Sequence, residues 1–133
     1  MKYDFLIEKA IEAQQFSYSP YSNFKVGAAL LCKDGKIFTG CNVENSSYPA
    51  SICAERTALT KAISEGAREF LAIAIVASDL ENICYPCGIC RQMLGEFSPN
   101  MDIVLYSKKE TNVFKLNKLL PNDYKVFDVL KKN

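Results

Sequence analysis

The residues of this chain that could do chemistry are mainly cysteines, because the sequence contains six of them and no histidine. Without histidine, a metal site must use sulfur or carboxylate ligands, and catalysis by an imidazole is excluded. Two short segments combine cysteine with charged side chains. They are Cys53-Ala54-Glu55-Arg56 and Pro86-Cys87-Gly88-Ile89-Cys90-Arg91-Gln92.

Each of these segments lies at the start of a predicted helix. The first helix is predicted over about residues 53–65, and Glu55 stands at the head of its apolar stripe. Because an unpaired charge on a buried face is costly, Glu55 is expected to have a partner or a catalytic task. The second helix is predicted over residues 87–97, where Cys87 and Cys90 are three residues apart and share one side.

Residues two apart, such as Cys53 and Glu55, point in different directions along a regular helix. Cys53 can therefore join the other two cysteines only if it lies at the very start of its helix. In that geometry three thiolates converge and leave a fourth tetrahedral position open. Three protein ligands and an open position are typical of a catalytic zinc site, whereas a structural site is closed. Helix N-termini favour such a site because their dipoles stabilise thiolates.

Three thiolates around one zinc ion leave an excess of negative charge. Arg56 and Arg91 are close in sequence to the cysteines, and either guanidinium could hydrogen-bond a thiolate and offset this charge. The alternative for both arginines is an ordinary surface ion pair.

Cys84 allows two other metal sites. With Cys87 and Cys90 it could form part of an iron–sulfur site, although the usual fourth cysteine does not follow Cys90. With Cys53 added, the same residues could form a closed four-cysteine zinc site, which would leave Glu55 without a task.

The other predicted elements indicate an α/β fold. Helix and strand patterns alternate along the chain, which predicts a three-layer α/β/α domain with a mixed sheet of about five strands. We expect this single domain to span residues 1–133. The predicted helices outside the two segments cover 3–18, 116–120 and 124–130, and the predicted strands cover 25–32, 37–41, 71–77, 103–106 and 113–115.

Composition excludes several classes of partner. The net charge is only +1, and no basic groove is indicated, so nucleic acid is not an expected partner. The strongest apolar stretch, residues 70–78, is too short to span a bilayer, and the N-terminus does not resemble a signal peptide. A cytoplasmic protein with reduced cysteines is therefore expected.

The motif Cys53-x-Glu55 followed by Pro86-Cys87-x-x-Cys90 is the three-cysteine variant of the zinc deaminase signature. The sequence closely resembles the small, three-cysteine class of cytidine deaminases over nearly the whole chain. The resemblance also depends on residues 18–30 (YSPYSNFKVGAAL), 40–48 (GCNVENSSY), 53–58 (CAERTA) and 119–121 (LLP). Tyr85 departs from the family, which often has serine there, and Cys84 is not required by the family pattern.

The resemblance implies a role for each matching residue. It implies one zinc ion per chain held by Cys53, Cys87 and Cys90, with Glu55 as proton shuttle. It further implies substrate contacts from Phe24 (pyrimidine wall), Asn42 and Glu44 (ribose), the Ala54 N–H (base carbonyl), and Tyr48 and Tyr124 (across subunit boundaries). Members of this class are homotetramers, so a homotetramer with active sites at subunit interfaces is expected.

The function implied is hydrolytic deamination of cytidine and deoxycytidine to uridine and deoxyuridine in pyrimidine salvage. Two alternatives remain at this stage. One is deamination of another aminopyrimidine, such as free cytosine, a nucleotide or an antibiotic nucleoside. The other is a non-catalytic interaction module stabilised by zinc, which would have four sulfur ligands.

Overall fold

The computed structural model of the protein describes residues 2–122. Tyr124 and the helix predicted over 124–130 lie outside this range. The described elements are α1 (Asp4–Gln14), β1 (Val26–Cys32), β2 (Ile37–Cys41), a short 3₁₀ turn (Tyr48–Ala50), α2 (Ala54–Ser64), β3 (Phe70–Ala77), α3 (Gly88–Phe97), β4 (Asp102–Tyr106), β5 (Thr111–Lys115) and α4 (Leu116–Leu119).

The first helix is shorter than the sequence predicts. A helix over 3–18 is expected from the spacing of apolar residues, but α1 ends at Gln14. The reason is a tertiary pairing of Tyr18, whose N–H donates to the carbonyl of Asn42 at 3.0 Å and whose carbonyl accepts from the N–H of Glu44 at 2.8 Å. These bonds replace the helical bonds that Tyr18 would otherwise make.

The five strands form one mixed sheet in the order β2-β1-β3-β4-β5. Strands β3 and β4 are parallel, and the other neighbouring pairs are antiparallel. The parallel pair needs a crossover connection, which α3 provides. The turn between β1 and β2 contains Gly35 at φ +95°, a left-handed conformation that glycine adopts without strain. The predicted mixed α/β sheet is therefore confirmed.

Helices cover both faces of the sheet. Side chains that alternate along a strand point to opposite faces, so Ile73 and Ile75 pack in the cluster that contains α2 and α3, whereas Ala74 and Val76 pack in the cluster that contains α1. Seven of the eight residues of β3 are buried, as its near-continuous apolar sequence predicts.

Helix α2 lies very close to the edge strand β2. A methyl group added at Gly40 would lie 2.4 Å from the main-chain nitrogen of Ala58 and 2.5 Å from the carbonyl oxygen of Ala54. Only glycine allows this approach. The contact fixes the first turn of α2, where Cys53 and Glu55 are located.

The helices described are short. The longest, α1 and α2, have 11 residues each, and within residues 2–122 no helix has the length and apolar character needed to cross a membrane.

Candidate metal centre and substrate cleft

Three cysteine sulfurs meet at the N-termini of α2 and α3. Cys53 is the N-cap of α2 and Cys87 is the N-cap of α3, both with extended backbone, while Cys90 lies in the first turn of α3. The Sγ atom of Cys87 lies 3.7 Å from that of Cys53 and 3.3 Å from that of Cys90. Cys53 thus occupies the cap position that a convergent site requires.

The arrangement of the sulfurs fits zinc. All three Sγ atoms lie within 4.8 Å of one another. A tetrahedral zinc ion with Zn–S bonds of about 2.3 Å separates its sulfur ligands by roughly 3.8 Å, close to the separations found here. Thiolate is also a ligand that zinc prefers over the hard cations magnesium and calcium.

Cys84 is not a member of this sulfur cluster. Burial, and then the nearby charges of Glu55, Cys53 and Cys87, raise the pKa of the Cys84 thiol to about 11. A neutral thiol is a poor metal ligand. Within residues 2–122 the cluster therefore has three cysteines, which disagrees with both the four-cysteine zinc site and the iron–sulfur site.

The surroundings of Cys53 stabilise its thiolate form. Its contact with Cys90, together with contacts from Arg56 and Cys87, lowers the pKa of the Cys53 thiol to about 5 although burial opposes the charge. Nη2 of Arg56 lies 3.8 Å from the Cys53 Sγ and donates to the carbonyl of Ser51 at 3.3 Å. Arg56 thus places a positive charge beside the sulfur cluster.

Arg91 does not make the thiolate contact that was considered from the sequence. Its Nε donates to the carbonyl of Pro86, and its Nη1 donates to the carbonyl of Leu119, both at 2.8 Å. The physical reason is the geometry of the helix, in which consecutive residues are rotated by about 100°. The side chain of Arg91 therefore points in a different direction from that of Cys90.

Glu55 is a buried carboxyl group next to the sulfurs. It lies in the first turn of α2 and is only 4% exposed. Burial, with the charge of Cys53 as a further cause, raises the pKa of Glu55 to about 7. A carboxyl group with a pKa near neutral can both accept and donate a proton under ordinary conditions.

An open cleft of about 340 Å³ lies beside the loop that precedes Cys53. The cleft is lined by Tyr21, Ser22, Glu44, Tyr48 and Ser51. Its loop is tied to the metal ligand, because Val43 and Ile52 exchange main-chain hydrogen bonds of 2.9 Å directly before Cys53.

The side chain of Asn42 makes most of its hydrogen bonds within the protein. Its Oδ1 accepts from the N–H of Val26 at 2.9 Å and from the hydroxyl of Ser17 at 2.5 Å, and its Nδ2 donates to the carbonyl of Phe24 at 2.7 Å. An amide nitrogen has two hydrogens. Nδ2 has this one acceptor within residues 2–122, so its second hydrogen can bind a ligand.

The carboxylate of Glu44 is held by the loop that carries Tyr21 and Ser22. Oε1 accepts from the N–H groups of Tyr21 at 3.0 Å and Ser22 at 3.1 Å, and Oε2 accepts from the Ser22 hydroxyl. The Ser22 hydroxyl bond, with these main-chain bonds, lowers the pKa of Glu44. Tyr21 and Ser22 were not predicted as site residues, although both lie in the segment 18–30 that resembles the family.

Of the remaining predicted contact residues, Tyr48 lines this cleft, whereas Phe24 and Ala54 are not among its lining residues. Phe24 is 41% exposed and Tyr48 is 72% exposed, and the Tyr48 ring packs edge-on against Tyr21 with centroids 6.1 Å apart. Ala54 is fully buried at the first position of α2. Tyr124 lies outside the described residues.

Comparison with known proteins also indicates a zinc-binding deaminase. Residues 1–107 match the family model of the cytidine and deoxycytidylate deaminase zinc-binding region. A probable cytidine deaminase of Dictyostelium discoideum is 48% identical over 131 residues, which are 95% of this chain and 88% of that protein. A cytidine deaminase of Sporosarcina psychrophila is 50% identical over 116 residues, which are 84% of this chain and 85% of that protein.

A solved structure is similar over nearly the same extent. The crystal structure of cytidine deaminase from Burkholderia pseudomallei is 47% identical, has a TM-score of 0.87, and covers 93% of this chain and 100% of that chain. The similarity therefore extends over nearly the whole fold. On the sulfur cluster, the fold and these matches together, the chain belongs to the cytidine and deoxycytidylate deaminase family.

Proposed function

We propose that this protein hydrolyses the amino group of free cytidine and deoxycytidine, giving uridine or deoxyuridine and ammonia. The observation that carries the proposal is the position of Glu55, a buried carboxyl group beside a cluster of three sulfurs. A non-catalytic zinc module would close its coordination sphere with a fourth protein ligand and would need no buried acid.

Cys53, Cys87 and Cys90 would hold one zinc ion per chain. When bound there, the ion would supply Lewis-acid activation of the water molecule used in the reaction. Arg56 offsets part of the negative charge of the three sulfurs through its contact with Cys53.

Glu55 moves the protons of the reaction. As a base, its carboxylate accepts a proton from the attacking water and delivers this proton to N3 of the ring. The carboxylate then accepts the remaining proton, from the hydroxyl added at C4, and as an acid gives it to the amino nitrogen, which leaves as ammonia while the C4 carbonyl forms. The balance is one nucleoside and one water consumed for one deaminated nucleoside and one ammonia. The pKa of Glu55 near 7 suits both roles.

The cleft favours a free nucleoside. The spare Nδ2 hydrogen of Asn42 can donate to a sugar hydroxyl, and the carboxylate of Glu44 can accept from one. A phosphate at the same place would be repelled by Glu44. Phe24 would form a wall for the pyrimidine, and the N–H of Ala54 would donate to the base carbonyl.

A comparison of substrates distinguishes this proposal from deamination of free cytosine or of a nucleotide. Turnover of cytidine, cytosine and cytidine monophosphate is measured under the same conditions. Cytidine is expected to be the best substrate, because only it offers sugar hydroxyls without a phosphate.

A homotetramer in the cytoplasm completes the proposal, with residues 1–133 as a single domain. Large apolar side chains remain exposed near the cleft and the sulfur cluster, including Tyr48 (72% exposed) and Ile89 (63% exposed). Such side chains are typical of subunit interfaces, and Tyr48 and Tyr124 are proposed to contact substrate across them. None of the six cysteines, all of which lie within residues 2–122, forms a disulfide, as expected for a reducing compartment. Sedimentation analysis of the purified protein tests the oligomeric state.

Loss of ultraviolet absorbance as cytidine becomes uridine tests the function. The purified protein is assayed directly, after removal of metal with a chelator, and after zinc is added back. Activity is expected to disappear with the metal and to return with zinc. A zinc-loaded protein that leaves cytidine unchanged would contradict the proposal.

A further inference from the structure

Among the three cysteines of the cluster, Cys87 has the least buried side chain. Its side chain is exposed, whereas Cys90 is buried and Cys53 is partly buried. Cys87 is also the last residue of a stretch without helix or strand, residues 78–87, between β3 and α3. Its sulfur nevertheless lies within 3.7 Å of both other sulfurs, so another restraint must position it.

The side chain of Arg91 supplies this restraint at the residue before Cys87. Its Nε donates at 2.8 Å to the carbonyl of Pro86, which precedes Cys87 and whose side chain is fully buried. Its main-chain N–H donates at 3.0 Å to the carbonyl of Cys87 itself. The second bond is the ordinary i→i−4 bond of the first helical turn and does not depend on the side chain at 91. The bond from the guanidinium to Pro86 is therefore the restraint that is specific to arginine.

The other end of the guanidinium is anchored. Nη1 of Arg91 donates at 2.8 Å to the carbonyl of Leu119, the last residue of α4. Carbonyls at a helix end lack partners within the helix, so this one is available. A guanidinium has several N–H donors in a fixed fork and can bond two carbonyls at once, whereas a lysine ammonium has no such fork.

We propose that Arg91 is a positioning residue for Cys87, acting through the Pro86 carbonyl while anchored to α4. This role differs from that of Arg56, whose guanidinium contacts a sulfur directly. The inference rests on the proposed function, because it concerns how firmly the chain holds the zinc ion of that site.

Zinc release tests this role independently of turnover. Zinc-loaded wild-type protein, Arg91→Gln and Arg91→Lys are mixed with an excess of a chromogenic chelator, and the release rate is measured. Arg68→Gln is the matched control, since Arg68 also donates to two main-chain carbonyls, those of Ile63 at 2.9 Å and Ala67 at 2.8 Å, but beyond the C-terminal end of α2. The unfolding rate of each protein is measured in the same buffer by circular dichroism.

Arg91→Gln is expected to release zinc about tenfold faster than wild type or more, the usual effect of losing a residue that orients a metal ligand. Arg68→Gln is expected to release zinc at nearly the wild-type rate. Arg91→Lys should lie between wild type and Arg91→Gln, because lysine can bond one of the two carbonyls. The increase in Arg91→Gln should exceed any increase in its unfolding rate, since a purely structural role would change both together.

The proposal is overturned if Arg91→Gln releases zinc no faster than Arg68→Gln, or only in step with unfolding. If Arg91→Gln does not fold, Arg91→Lys decides by the same comparison. Failure of the proposed function would be seen separately, as zinc-loaded wild-type protein that does not convert cytidine.

Discussion

Replacing Glu55 with glutamine is the most direct test of the proposed chemistry. The amide has nearly the same shape as the carboxyl group, so the apolar contacts of this side chain, which is only 4% exposed, are preserved. The substitution also removes a buried ionisable group that is not a member of the sulfur cluster. Glu55→Gln is therefore expected to fold and to keep one zinc ion per chain.

The expected loss of turnover follows from the two roles of Glu55. General acid–base catalysis contributes about 10²- to 10⁴-fold for each positioned group. Because one carboxyl group serves first as base and then as acid, we expect kcat to fall by about 10⁴-fold or more, equivalent to roughly 5.5 kcal/mol of activation free energy. KM for cytidine should change far less, because an amide at position 55 leaves the sugar contacts intact.

The assay follows the ultraviolet absorbance of cytidine, with zinc content measured on the same samples. Glu65→Gln is the matched control, because Glu65 is exposed at the C-cap of the same helix, α2. The control should keep full activity. A zinc-loaded Glu55→Gln protein with near-normal kcat would refute the proton-shuttle role of Glu55.

Three further predictions concern the sulfur cluster and the fold. Cys84→Ser should retain one zinc ion per chain, whereas Cys90→Ser should lose it; equal zinc loss in both variants, by metal analysis, would mean that Cys84 is a ligand. Gly40→Ala should lower the free energy of unfolding by about 3 kcal/mol in urea titrations, because its methyl group would overlap the main chain of α2. Burial, with the bond to Asp102, raises the pKa of Tyr3 from 10.0 to about 12, so its neutral form stabilises the fold below pH 10 and this contribution is lost as the pH rises toward 12. The difference in unfolding free energy between wild type and Tyr3→Phe should therefore decrease over that range, and a difference independent of pH would contradict this.

The types and order of the elements could be predicted from sequence because their signals are local. The i, i+3 spacing of Cys87 and Cys90 defines one side of a helix whatever the rest of the chain does. The apolar run of β3 is an equally local signal, and the strand that it predicts is confirmed. The end of α1 was predicted too late because Tyr18 pairs with a distant loop, which no local pattern reveals.

The sequence alone also determined which side chains are available for the chemistry. With no histidine in the chain, the pattern Cys-x-Glu and Pro-Cys-x-x-Cys leaves few ways to build a metal site. These residue types are properties of the sequence, and their resemblance to a known family supplied the proposed role of each.

Tertiary structure decided the distances. Cys53 and Cys87 are 34 residues apart, and their sulfurs come to 3.7 Å only because α2 and α3 pack on the same face of the sheet. The same packing excludes Cys84 from the cluster and directs Arg91 to two carbonyls. Contacts between distant segments depend on strand order and helix packing, which are set by the burial of the whole core, so they become known only when the chain is folded.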